Sequence, residues 1–364
     1  MTTPSRELKF RRLAAQLRAE LRSGVIAPES KLPTEQELAA RHGVSMTTVR
    51  RALNELADDG LVVRRQGAGT FAAPTGRGPD GTGPLVGVLV PDTTLYYPRV
   101  IEGIEDALSA ADARLMLASS RYSVSEEDKA IARLIDSGVE GLLAVPTLIG
   151  RDDPAAVLAR LSTLPVPVVL VERRLDPGLL DVSEHVCTDH TTGGFLAVRH
   201  LHELGHRRIA VAVRADAPTT APVLRGVGRA LDEYGAHAGQ PHAVPREDWN
   251  PAVAAQLVAA ITAAEATAVV CFGDREAAAL VAAARRAGLD VPGDLAVVAY
   301  DDEIADLAEV PLTAVSPPKA HLGRVAAELL LRRLAEPDLP PHQIRLRPDI
   351  VIRDSCGANG EDPQ

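Results

Sequence analysis

The chain has 364 residues, a formal net charge of −10, and 46% hydrophobic against 24% charged residues. That is ordinary globular composition, enough for two or three folding units, and no apolar run approaches the roughly 20 residues of a membrane span. Three scattered cysteines, Cys187, Cys271 and Cys356, lack CxxC spacing, and the N-terminal MTTPSRELKFRRL lacks an apolar export core. Together they argue against a zinc knuckle, a disulfide framework or secretion, and for a reducing cytoplasm.

The acidic total hides an asymmetry. Residues 1–72 carry 12 Lys+Arg against 8 Asp+Glu, a net of +4, and the remainder carries 27 against 41. Attraction to phosphate acts over about one Debye length, roughly 8–10 Å, so the local charge decides whether a polyanion is drawn in.

In chain order, a first helix is expected over 6–23, with Leu8, Leu13, Leu17 and Leu21 toward a core and Ser23-Gly24 as its stop. Thr34-Glu35-Gln36-Glu37 after Pro33 is a capping box for a second helix. Gly43 supplies a turn and Ser45 caps a third helix, on which Val49, Ala52, Leu53 and Leu56 fall at i, i+3, i+4 and i+7. Ser45, Met46, Thr47, Thr48, Arg50 and Arg51 then sit at the N-terminal end or on the exposed side, the part of such a helix that enters a major groove. LVVRRQGAGTFAA (61–73) reads as two short strands around Gln66-Gly67-Ala68-Gly69, a β-wing with Arg64 and Arg65 at its tip.

Residues 6–73, through LPTEQELAARHGVSMTTVRRALNELADDGLVVRRQGAGTF, resemble the winged helix of the GntR family of bacterial transcription regulators. The resemblance implies a recognition helix in the major groove and a wing tip in the minor groove of double-stranded operator DNA. Arg50 would then hold phosphate or base, with Arg65, Gln66 and Gly67 at the wing. Gln36 and Met46 stand where arginines contact DNA in some members, so the operator sequence does not carry over from those relatives.

Residues 74–84, PTGRGPDGTGP, read as a linker. Their formal GxGxxG (Gly76, Gly78, Gly81) precedes a strand rather than following one, which is the wrong context for a dinucleotide site. Beyond the linker, apolar runs at 85–90, 141–145, 166–171, 209–213, 268–272 and 295–299 alternate with helical segments at 98–111, 126–136, 190–204, 223–234, 251–263 and 274–287. Alternating β and α with buried strands means parallel α/β architecture. About 280 residues of it exceed one doubly wound sheet, so two lobes around a cleft are expected.

This half resembles the LacI/GalR sensor domain, itself similar to periplasmic sugar-binding proteins, through VGVLVPDTTLYYPRVIEGIEDAL (86–108), VPVVLVERRL (166–175), TDHTTGGFLAVRHLHELGHRRIAV (188–211), DVPGDLAVVAYDD (290–302) and LTAVSPPKAHLG (312–323). The union of the two is similar to arabinose-repressor-like chimeric regulators. The expected division is a winged helix at 1–73, the linker, a two-lobed sensor and dimerisation domain at 85–356, and a disordered tail at 357–364. The chain should cross between two Rossmann-like lobes (periplasmic binding protein type I) near Cys187–Asp189, near Thr313–Pro317 and after Glu336.

The resemblance places effector contacts at Leu95, Tyr97, Glu172, Arg225, Trp249, Asp274 and Asp301. Those types suit a small sugar or sugar derivative, because charged planar groups bind paired hydroxyls and aromatic rings cover the C–H face. Gly273 and Pro317 replace residues that are often polar in the family, and the lactose-repressor hinge helix is missing.

No GxSxG, GxxxxGK[ST] or HExxH occurs, and neither enzyme activity, a cofactor nor a metal is expected. His202 and His206 lie one helical turn apart inside a segment that resembles a plain family helix. The expectation is a cytoplasmic, ligand-responsive transcription regulator, a homodimeric repressor of carbohydrate-utilisation genes on a palindromic operator. The alternative is a sugar-binding module whose winged helix serves protein interaction.

Overall fold

The computed structural model describes residues 10, 13–14, 17, 26, 30–58, 61–65, 69–72, 83–148, 153–175 and 181–358, without the side chains at 55, 58, 64 and 65. Leu8, Leu21, Gln66, Gly67, the linker glycines Gly76, Gly78 and Gly81, and the tail from 359 onward lie outside the described residues.

The N-terminal unit follows its caps. Thr34 accepts from the Glu37 backbone at 3.3 Å while the Glu37 carboxylate accepts from the Thr34 backbone at 2.7 Å, which starts the helix Glu35–His42. Gly43, at φ +60°, ends it in the left-handed region. The Ser45 hydroxyl accepts from the Thr48 backbone at 3.3 Å and opens the helix Met46–Asp58. Val49, Ala52, Leu53 and Leu56 are at most 1% exposed and pack on Leu13, Leu17 and Leu38. Each of the larger aliphatic side chains there contributes roughly 1.5–3 kcal/mol by leaving water. Strands β1 (Val62–Arg65) and β2 (Gly69–Ala72) pair antiparallel, Val62 opposite Ala72 and Arg65 opposite Gly69, as a wing. Residues 30–32 add to it through Leu32 and Ala72 backbone bonds.

The C-terminal unit is two α/β lobes. The first sheet runs in the order β13 (Gln343–Leu346), β7 (His185–Thr188), β6 (Val168–Val171), β5 (Gly141–Ala144), β3 (Leu85–Val90), β4 (Arg114–Ser119), all parallel. The second runs β14 (Asp349–Val351), β12 (Thr313–Ser316), β11 (Ala296–Tyr300), β10 (Ala268–Cys271), β8 (Ile209–Arg214), β9 (His242–Val244), parallel except for β12 against β14. The chain therefore crosses between lobes at 188–190, at 316–319 and at 346–349.

Two helix pairs flank the crossings, and glycines let each pair close. In the first lobe Tyr97–Ala110 lies on Lys319–Ala335. A Cβ on Gly103 would sit 1.8 Å from the Ala320 carbonyl oxygen, and one on Gly323 would sit 2.0 Å from that of Val100. In the second lobe His190–Glu203 lies on Thr220–Tyr234, where Gly194 meets the Val223 carbonyl and Gly226 that of Thr191. Helices 190–203 and 319–335 begin where the chain has just changed lobes, so this packing fixes the two crossings against their sheets.

Candidate ligand cleft and nucleic-acid interface

The carboxyl ends of both sheets face one another across a cleft of about 400 Å³. Open parallel sheets bind ligands at that end, where loops diverge from the strands. Asp92, Leu95 and Tyr96 follow β3, Glu172 and Arg173 follow β6, Arg214 ends β8, Phe272 follows β10 and Asp301 follows β11. Tyr97, Tyr122, Thr147, His190, Asp216, Arg246 and Glu247 line it too, with the 217–219 segment.

Glu172 is the organising carboxylate. It is 6% exposed and sits at φ +56°, a backbone conformation that costs a non-glycine residue energy and persists where surroundings enforce it. Its oxygens accept from the Tyr96 hydroxyl at 2.5 Å, the Thr188 hydroxyl at 2.6 Å and the Thr188 backbone at 3.0 Å, and lie 3.3 Å from His190 Nε2. Burial alone would raise its pKa. The bond and charge of His190, with Thr188 and Tyr96, outweigh burial and bring it to about 2. His190 opens a helix of the second lobe, so this pair spans the crossing.

A folded pKa below the ordinary 4.5 contributes stability that is fully present above pH 4.5 and fades as pH falls toward 2. The gap in urea-unfolding stability between wild type and Glu172→Gln should therefore be widest at neutral pH and shrink between pH 5 and pH 2.

Arg173 is buried, donating to the Glu172 carbonyl at 2.8 Å and to the Tyr97 hydroxyl at 3.2 Å. Arg214 makes a side-on pair with Glu276, Nε to Oε1 at 2.8 Å and Nη2 to Oε2 at 2.9 Å. At the mouth, the Arg246 guanidinium of the second lobe lies 5.7 Å from the Tyr122 ring centre of the first. Behind the cleft, Lys319 of the first lobe pairs with Glu303 of the second at 2.7 Å and donates to the Asp301 carbonyl.

Of the seven effector positions expected from sequence, Leu95, Tyr97, Glu172 and Asp301 line this cleft together. The other three are placed elsewhere. Arg225 is exposed on the helix Thr220–Tyr234, because the close crossing turns Val223, Gly226, Val227 and Ala230 inward and 225 outward. The Trp249 indole donates to the Val244 carbonyl at 3.3 Å and packs on the second lobe's core. Asp274 is buried and accepts the backbone N–H groups of Asp302, Glu303 and Ile304, holding the loop after β11. Arg173, His190, Arg214 and Arg246 went unnoticed in the sequence. Arg173 had a signal, since it adjoins Glu172 at the end of an apolar strand. Arg214 ends one too, but reads equally well as a solvated strand end.

In the N-terminal unit, Gln36, Ser45, Met46, Thr47, Arg50 and Arg51 are exposed, as a DNA-facing surface requires. Thr48 is a correction. It is 8% exposed, and its hydroxyl bonds that of Ser45 at 2.8 Å, so it secures the helix start. Arg50 is paired with Glu35 at 2.7 Å, and the Arg51 guanidinium lies 4.1 Å from the Phe10 ring centre. Arg65 ends β1, its side chain outside the described residues. His202 stacks on Tyr234 and His206 bonds Thr267, so the two histidines serve separate packing roles.

The comparisons agree with this architecture. The pattern of bacterial regulatory proteins of the gntR family matches residues 9–72, and that of the periplasmic binding protein-like domain matches 198–356. The arabinose metabolism transcriptional repressor of Geobacillus stearothermophilus is 31% identical over 365 residues, 95% of this chain and 97% of that one. The transcriptional regulator MalR of Streptomyces coelicolor is 29% identical, covering 89% of this chain and 97% of its own. Among solved structures, a CelR–cellobiose complex superposes with TM-score 0.65 at 26% identity, covering 89% of this chain and 100% of that one. A LacI-family regulator from Enterococcus faecium with bound ribose superposes with TM-score 0.61 at 27% identity, covering 75% and 98%. With a near full-length relative above 30% identity and both halves matched in order, the chain belongs to the family of transcription regulators, not enzymes, that join a gntR-type winged helix to a periplasmic-binding-protein-like domain of the LacI type.

Proposed function

We propose that this protein is a ligand-responsive repressor of carbohydrate-utilisation genes, acting as a homodimer on a pseudo-palindromic operator, with a small sugar effector held between the lobes. The observation that carries the reading is the cleft itself. It lies at the carboxyl ends of both sheets and draws its walls from both lobes. Its central carboxylate, Glu172, is tied across a crossing to His190. A ligand touching both walls binds open and closed arrangements unequally, which is the only way binding can shift that equilibrium. Two-fold symmetry of a dimer would match two half-sites, and lobe closure would change the spacing of the winged helices.

On the DNA side, the proposed contacts are Gln36, Ser45, Met46, Thr47, Arg50 and Arg51, with Arg65, Gln66 and Gly67 at the wing. Support comes from the exposure of the described helix positions and the net positive charge of residues 1–72. The relatives' names support a sugar-linked role: one is an arabinose metabolism repressor, and two superposable regulators hold cellobiose and ribose.

The test is a gel shift with DNA from the gene's own upstream region. A sequence-specific complex is expected to weaken steeply with salt and respond to a sugar. Arg50→Ala should lower affinity by about tenfold and reduce the salt slope by about one ion. A shift indifferent to salt and sequence would exclude operator recognition.

A further inference from the structure

We propose that Arg214, oriented by Glu276 and given room by Gly273, is the specificity-determining residue of the cleft, and that with Asp301 it clamps adjacent hydroxyls of an uncharged sugar. The proposal rests on the sugar reading above and adds which residue selects and which sugars are refused.

The first observation is how Arg214 is held. Its side-on pair with Glu276 uses Nε and Nη2. Nη1 has no hydrogen-bond acceptor among the described residues, leaving two N–H groups at the cleft wall. The guanidinium carbon lies 5.4 Å from the Phe272 ring centre, and the side chain is 14% exposed. Glu276 stands in the first turn of the helix Asp274–Arg286, where the helix dipole favours its charge.

The second observation is Gly273. It has φ +104°, and a Cβ there would fall 2.2 Å from Arg214 Nη2 and 2.2 Å from Glu276 Oε2. The ion pair occupies the space that any side chain at 273 would fill. Glycine at this position and the pair are therefore one device.

The third is Asp301. It lines the same wall at φ +97°, and its carboxylate accepts no hydrogen bond among the described residues. A pair of N–H donors beside a free carboxylate complements two neighbouring hydroxyls, since each hydroxyl both donates and accepts.

The charge balance sets the class. Five carboxylates line the cleft against three guanidinium groups. Arg214 is already neutralised by Glu276. A phosphorylated or acidic sugar would add its charge to a lining in which carboxylates already outnumber guanidinium groups, whereas a neutral polyol adds none.

The experiment is thermal stabilisation and calorimetric titration of the full chain with L-arabinose, D-ribose and cellobiose, and with D-ribose 5-phosphate and 2-deoxy-D-ribose as probes. At least one neutral sugar is expected to bind, the phosphate ester more weakly than ribose or not at all. Arg214→Met with Glu276→Met removes both charges and retains bulk. Arg214→Lys keeps the charge beside Glu276 but loses the fork, giving a second variant that leaves no carboxylate without a cation. Both should lose about tenfold or more in affinity for the bound sugar. Where ribose is the ligand, they should also lose the discrimination against its deoxy analogue. Unchanged affinity and discrimination in both variants would overturn the clamp and leave the sugar reading intact. Tighter binding of the phosphate ester would overturn the charge argument. No stabilisation of wild type by any sugar would overturn the sugar reading and the clamp together.

Discussion

Gly226→Val is expected to prevent the second lobe from folding stably, and Gly226→Ala to cost more than about 3 kcal/mol in chemical unfolding. A Cβ at 226 would lie 1.9 Å from the Thr191 carbonyl oxygen and 2.8 Å from its carbon. Both obstacles are backbone, so no rotamer change relieves them, and the helices 190–203 and 220–234 must separate. That separation would also displace His190, and with it the partner of Glu172 across the crossing. Gly228 is the control. It sits in the same helix with nothing within 4 Å of an added Cβ, so Gly228→Ala should stabilise by roughly 0.5–1 kcal/mol through helix propensity alone. Equal effects at the two glycines would remove the close crossing from the account.

The same crossing explains what the sequence could and could not reveal. The winged helix was legible because its signals are local. A capping box, a turn glycine and a heptad-like apolar face each specify their own residues, and Thr34, Gly43 and Val49–Leu56 did what their chemistry requires. The six central strands were legible as apolar runs, since strands buried on both faces need little else. Strands toward the sheet margins were not, whether at the edge (β4) or one place in from it (β7). β4 (RLMLAS) alternates partial exposure, and β7 (HVCT) contains only two apolar residues, so neither stands out from a loop. The cleft was read from positional analogy, which holds where a residue directly follows a strand, as at Glu172 and Asp301. It failed inside a helix at Arg225, because one residue of rotation is about 100°, and the direction was fixed by a glycine contact with a distant segment. It failed at Trp249 because a loop's path is set by packing that no local pattern records. Asp274 adjoins the cleft in sequence but spends its carboxylate on three backbone donors, a role visible only once the loop after β11 is folded over it.

Lys319→Met should be the most damaging single change at the lobe junction, costing about 3–5 kcal/mol. The ammonium is 1% exposed, is paired at 2.7 Å with a Glu303 carboxylate only 9% exposed, and also serves the Asp301 carbonyl, so its removal strands a buried charge and a buried acceptor. Burial already pushes the Glu303 pKa up against the opposing pull of Lys319. Adding Glu303→Met should restore most of the stability, since replacing a whole buried pair with apolar groups is near neutral. Function should not return with it. Lys319 opens a first-lobe helix and holds the second-lobe loop that carries Asp301, while His190 opens a second-lobe helix and holds Glu172 of the first. The two straps run in opposite directions behind one cleft, and each secures a residue on the cleft wall. In the stable double variant the lobes should separate more readily, seen as a larger radius of gyration in solution scattering, and operator binding should respond less to effector. A double variant as compact and as effector-responsive as wild type would show that the strap is structural and that lobe closure is governed elsewhere.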